Sequence, residues 1–243
     1  MNVFDEAELT FAPLGDRALT ARAEGAGWRD MAEAAGLLRE AGAAWIVDVV
    51  PAYDSVTVVY DPLPLLRMER KSGTSGLSGA YERAESEIRR HLAAMPSARK
   101  ETMRLVELPV CYGGSFGPDL KEAAERSGMS AETFIRRHAS AEYTVVMIGF
   151  LPGFPYLDGL PSGLSQPRKP SPRGCVPAGS VGIAGGQTGV YPFATPGGWQ
   201  LIGRTSLTLF DPSRDEPALL RAGDRVKFVP VGPERMKAWG DER

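Results

Sequence analysis

Arg168, Lys169, Arg173 and Arg204 stand against one acid, Asp158, within residues 149–205 of this 243-residue chain. A guanidinium is a planar fork suited to a carboxylate or a phosphate, so the excess of cations points to an anionic ligand. Gln187, Thr188, Ser180 and Gln200 lie in the same stretch and are of the type that orients an amide or a carboxylate. Just before it comes His138, one of two histidines. It suits acid–base work, and equally a structural place at a helix C-terminus where the dipole favours it. Tyr156, Tyr191 and Trp199 are candidates for a pocket wall, with core packing as the alternative.

The stretch holding these residues contains 13 Gly and 9 Pro in 57 positions. That density without a repeat is a feature of disordered chains. Interleaved Phe150, Phe154, Tyr156, Tyr191, Phe193 and Trp199 argue against disorder, because so many large aromatics need a core. The stretch therefore reads as tight turns and short strands forming one surface.

Common catalytic signatures are missing. There is no GxSxG, HExxH or CxxC, and GIAGGQTG lacks the Lys-Ser/Thr of a phosphate-binding loop. No metal site is expected. Cys111 and Cys175 have no His or Asp at a recognisable spacing, so neither reads as a nucleophile. Two cysteines indicate no disulfide framework. The net charge of −2 and pI near 5.8 give no attraction to nucleic acid or an anionic membrane. An N-terminus without a basic region and apolar run, and no long apolar segment, lead to the expectation of a cytoplasmic protein.

The elements that must position the candidates fall into two blocks. Residues 1–96 read as a small α/β domain: strands in LTFAPLG and ALTARA, a helix through Trp28, Met31, Ala35 and Leu38, and a strand pair over Trp45 to Val50 and Ser55 to Tyr60. A mobile loop is expected over 69–79, then a helix through Tyr81, Ala84, Ile88 and Leu92 that Pro96 ends. Residues 97–243 begin with a strand from Leu105 to Tyr112 and a helix with Pro118 in its first turn. A second helix capped by Ser130 follows. From Tyr143 the pattern is β, in YTVVMIGF, SVGIA, WQLIG, SLTLF and RVKFVP, which predicts a sandwich or closed barrel.

Whole motifs along the chain resemble one family. They are PLGDRAL at 13–19, SVTVVYDP at 55–62, PVCYGGSFGPDL at 109–120, the run from His138 to GFLPGFPYLDGLP, and PR at 172–173. VPAGSVGIAGGQTGVYP at 176–192, TPGGWQLIGRT at 195–205, LFDP at 209–212 and GDRVKF at 223–228 complete the set. The family includes the B subunit of bacterial 5-oxoprolinase, the kinase inhibitor KipI and allophanate hydrolase subunit 1. The resemblance implies an α+β chain: a small N-terminal α/β domain, then a cyclophilin-like β-barrel, together called carboxyltransferase subdomains C and D.

It further implies work in a complex with the homologous C subunit, or allophanate hydrolase subunit 2, and a LamB/YcsF-type subunit. That complex uses ATP to hydrolyse 5-oxo-L-proline to L-glutamate, and the chain alone is expected to be inactive. A KipI-like inhibitor of a sensor histidine kinase and an allophanate or urea role are the alternatives. For a lactam carboxylate, Arg173 and Arg204 become candidates to bind the substrate with Tyr156, Tyr191 and Trp199 around it. His138 and Gln187 become the catalytic candidates, Gln187 by stabilising charge on the lactam oxygen.

Overall fold

A computed structural model describes residues 4, 9–68, 77–94 and 104–236. The chain divides into two compact units, Met1–Thr102 and Met103–Arg243. The expected mobile loop at 69–79 falls largely outside the described residues, and its last positions already belong to a helix.

In the first unit the strands are β1 (Leu9–Pro13), β2 (Ala18–Ala23), β3 (Ile46–Pro51) and β4 (Ser55–Tyr60). They form one antiparallel sheet in the order β1-β2-β4-β3. The amphipathic spacing at Trp28 becomes α1 (Trp28–Glu40), which buries Met31, Ala34, Ala35 and Leu38. A short helix, α2 (Pro62–Arg67), was not expected. Asp61 caps it by accepting from the Leu63 amide at 3.0 Å, and Pro62 supplies the preset φ of a first turn. Ala84, Ile88 and Leu92 of α3 (Leu77–Ala93) join Leu19, Val49, Val56 and Val58 in a single core.

The second unit is a closed barrel. Its strands are β5 (Leu105–Tyr112), β6 (Tyr143–Ile148), β7 (Pro155–Asp158), β9 (Ser180–Ala184), β10 (Gln187–Val190), β12 (Gln200–Arg204) and β13 (Arg225–Pro230). They close in the order β10-β7-β6-β13-β5-β12-β9. Among the described barrel strands only β5 and β13 run parallel, and a parallel pair needs a long connection, here carrying α4 (Leu120–Arg126), α5 (Ala131–Ser140) and all the other barrel strands. A two-stranded ribbon, β8 (Arg173–Val176) with β11 (Thr195–Gly197), lies outside the barrel order.

Two local expectations change. The first helix of this unit starts at Leu120 after Asp119, not in a turn containing Pro118. The segment SLTLF is not a strand; only Phe210 makes an isolated bridge, to Ala218. Ser130 caps α5 as expected, accepting from the Thr133 amide at 3.2 Å.

Close backbone approach explains several glycines in the barrel. A Cβ on Gly117 would stand 2.0 Å from the Ile202 carbonyl oxygen, so only glycine lets the loop after β5 lie against β12. Gly117→Ala is expected to lower stability by about 3 kcal/mol, read from the urea midpoint. Gly174→Ala, where nothing lies within 4 Å, should stay within about 0.5 kcal/mol of the parent.

Candidate functional site

The β12 strand carries candidate residues at both of its ends. Just before it, Trp199 sits beside Arg173, and it closes on Arg204. Five residue steps along the strand take the chain from Trp199 to Arg204, roughly 16 Å at the usual rise. The two arginines therefore do not converge on one ligand.

At the first end, Arg173 is taken up by an acid that lies outside the cation-rich stretch. The Asp119 carboxylate is buried and accepts from Arg173 at 2.6 Å, from Lys169 at 3.2 Å and from the Leu201 amide at 2.7 Å. Burial pushes the Asp119 carboxyl upward. The hydrogen bonds from Arg173, Leu201 and Lys169 outweigh this and hold it below the ordinary carboxylate range. One carboxylate thus engages two of the four cations within the fold and offsets one of their two charges, while Arg168 is exposed.

The aromatic candidates pack on one another. Phe154 lies at the centre, with ring centroids 4.9 Å from Tyr156, 5.2 Å from Tyr191 and 5.5 Å from Trp199. Tyr191 and Trp199 are buried and Tyr156 is half-buried. Glycines make the space: a Cβ on Gly189 would come within 3.0 Å of Phe154 and one on Gly197 within 2.6 Å of the Tyr191 hydroxyl. Phe150 leans edge-on against Phe154 with a φ of 68°, a left-handed conformation rare for a bulky side chain.

His138 is fully buried in the barrel. The Thr188 hydroxyl donates to the Gly182 carbonyl at 3.0 Å, so its oxygen accepts from His138 Nε2–H at 3.2 Å. Nδ1 then accepts from the Tyr112 hydroxyl at 2.8 Å, and Tyr143 donates to the His138 carbonyl at 2.8 Å. Phe228 stacks on the ring at 4.6 Å. Burial drives the His138 pKa down to about 3, which leaves the ring neutral and in one tautomer. Gln187 is half-buried at the Gly185–Gly186 turn, opposite Ala184, whereas Arg204 pairs with Ser180 at the other end of β9.

Arg204 differs from the other cations. Its Nε donates to the Ala178 carbonyl at 2.7 Å, and its terminal nitrogens make no hydrogen bond or ion pair among the described residues. It lines a groove of about 610 Å³ with Phe116, Phe193, Phe210 and Ser206, in which it is the one charged side chain among the described residues. Gly179 has a φ of 79°, and a Cβ there would lie 2.1 Å from the Thr205 carbonyl oxygen, so glycine is required to seat the end of β12. The Ser206 hydroxyl is buried without a hydrogen-bond partner. Sequence reading singled out Arg204 but missed Asp119, Phe116, Phe210 and Ser206. Asp119 and Phe116 come from GGSFGPDL, on another strand connection, and only the family motif flagged that segment.

GIAGGQTG forms the β9–β10 hairpin, and the Gly185 amide already donates to the Gln166 carbonyl at 2.7 Å. It is no phosphate cradle. Among the described residues there is no cluster of three or more His, Cys, Asp or Glu able to hold a metal, and no helix long and apolar enough to cross a membrane.

The model of the carboxyltransferase domain, subdomain C and D, matches residues 9–220. The chain belongs to that family. A Bacillus subtilis (strain 168) protein named as the B subunit of 5-oxoprolinase is 46% identical over 86% of this chain and 85% of its own length. Its namesake from Escherichia coli O157:H7 is 48% identical over 76% and 78%. The solved structure of TTHA0988 matches with a TM-score of 0.71 and 38% identity over 89% of this chain. The chain spans about 40% of the length of that longer protein. The α+β architecture expected from the sequence, a small α/β unit followed by a closed barrel, is the one observed.

Two outcomes check the burial arguments. The unfolded chain takes up a proton at His138 near pH 6.5 that the folded chain refuses until about pH 3. Stability should therefore fall as pH drops through that window, by about 1.4 kcal/mol per pH unit. Denaturant titrations at pH 6 and 4 should show a shallower loss in His138→Gln, and parallel losses would refute the assignment. Asp119→Asn should cost roughly 2–3 kcal/mol at pH 7, and in a double-mutant cycle with Arg173→Gln the two losses should not add.

Proposed function

We propose that this chain is the B subunit of an ATP-dependent 5-oxoprolinase, which hydrolyses 5-oxo-L-proline to L-glutamate together with partner subunits. The observation that carries this reading is the match to two proteins named as 5-oxoprolinase B subunits over more than three quarters of both chains. The partners are the homologous C subunit and a LamB/YcsF-type subunit, and the chain alone is inactive. It resides in the cytoplasm.

The groove supports the substrate assignment. 5-Oxoproline carries one carboxylate, and Arg204 offers one unengaged guanidinium edge to receive it. The lactam carbonyl gains negative charge as water adds to it, and a donor held near it lowers that barrier. Ser206 lines the same groove, and its buried, unpartnered hydroxyl becomes such a donor if its side chain turns toward the ligand. His138, Arg173, Tyr191 and Trp199 act at a distance from the ligand, by holding the barrel strands in register. Gln187 stands at the other end of β9 and Tyr156 on the aromatic cluster, so neither shares the Arg204 groove. ATP is used by the complex, and no residue of this chain is assigned to its phosphates, because the Gly-rich hairpin does not fit them.

The test is a reconstituted complex of all three subunits with Arg204→Gln in this one. The variant should lose about 100-fold in kcat/KM for 5-oxoproline, mostly through a raised KM, with an unchanged melting temperature. Unchanged kcat/KM would remove Arg204 from the site. Absence of glutamate formation by the parent complex would overturn the function.

A further inference from the structure

The Arg204 groove is larger than 5-oxoproline needs. Its volume of about 610 Å³ lies in the range that encloses drug-sized molecules, whereas 5-oxoproline is a single small ring. The lining is mostly apolar, with Thr205, Ser206 and Thr208 as its neutral polar members. Phe116, Phe193, Phe210, Leu207 and Met236 belong to its apolar part, and Phe193 meets Phe210 edge to face at 5.8 Å. Among the described residues no acid lines the groove and its one cation is Arg204, so the lining balances a single negative charge. A second anionic group would be drawn from water without a partner. Ser206 also lines the groove, and its buried hydroxyl has no partner, so a turn about its side-chain bond is what would present it to a ligand.

We propose that this groove binds monocarboxylates carrying an aromatic or branched apolar body, a ligand class broader than 5-oxoproline. The carboxylate sits on the terminal nitrogens of Arg204, and Ser206 donates to the nearer carboxylate oxygen or to an adjacent carbonyl. The apolar body lies between Phe116, Phe193 and Phe210. This rests on the reading of Arg204 as the anchor for the 5-oxoproline carboxylate. It follows that such acids compete with 5-oxoproline for one cation.

The full chain is titrated with 3-phenylpropionate, 3-phenylpropionamide and 5-oxoproline by calorimetry, with displacement followed by ligand-observed NMR. The acid should bind at least about 10-fold tighter than its amide, because only the acid forms the charge-assisted pair. Arg204→Gln should erase that difference and Arg204→Lys should retain part of it. Phe193→Ala changes a side chain that is 38% exposed, so it should fold normally and weaken 3-phenylpropionate several-fold. 3-Phenylpropionate should displace 5-oxoproline. If 5-oxoproline binds through Arg204 and 3-phenylpropionate fails to displace it, the broader class is wrong and the anchor stands. If acid and amide bind alike while 5-oxoproline depends on Arg204, the broader class alone is wrong; if neither acid depends on Arg204, the inference falls together with the anchor.

Discussion

The placement of β12 depends on one buried carboxylate. Asp119 accepts from the Leu201 amide while pairing with Arg173 and Lys169, so a single acid joins the loop before α4, the barrel strand and the segment leading into the outer ribbon. Around it the Gly113 amide donates to the Ile202 carbonyl, the Asp119 amide to the Leu201 carbonyl, and Gly117 lies flat against Ile202. The register of β12 against β9 shifts between Leu201 and Gly203 at the place these contacts hold. That irregular stretch would be prone to slip without a fixed partner. Everything beyond it, including the direction in which Arg204 leaves the barrel, follows from that anchoring.

Sequence patterning conveyed the architecture because burial leaves a periodic trace. Met31, Ala35 and Leu38 recur at helical spacing, and β-branched runs mark β4 and β13. Short strands such as β8 and β11 left no trace, since three or four residues rich in Gly and Pro carry no period. The parallel pairing of β5 with β13 was equally invisible. It joins residues more than a hundred positions apart and is set by closure of the barrel rather than by local composition.

The site was only half legible for a related reason. Counting charges inside a stretch of chain treats sequence neighbours as spatial neighbours. Asp119 lies far outside that stretch yet pairs with both Arg173 and Lys169 and offsets one of their two charges, so the basic surface is smaller than the count suggests, with Arg204 and the exposed Arg168 outside that pairing. Aromatic density was read correctly as a sign of order. Its meaning, however, is a packed cluster around Phe154, for which Gly182, Gly189 and Gly197 are the spacers. The groove aromatics Phe116 and Phe210 come from connections whose turn residues hide any pattern.

The barrel therefore treats its polar groups in two opposite ways. His138 is surrounded by Tyr112, Tyr143, Thr188 and Phe228 and is kept neutral, so it links α5 to β5 and β10 without a charge to desolvate. Asp119 is kept ionised by donors that offset its burial. Both arrangements consume hydrogen-bonding capacity inside the fold, which leaves nothing over for a ligand. Arg204 and Ser206 are the exceptions in the groove, one with two terminal nitrogens unengaged and the other with an orphan hydroxyl. A buried donor without a partner costs free energy that a bound acceptor can return, so unspent capacity is where recognition is expected to reside. Gln200 Oε1, at the start of β12, is a second buried orphan, so unspent capacity marks both ends of the strand, and what distinguishes the far end is that a groove with an unengaged cation adjoins it.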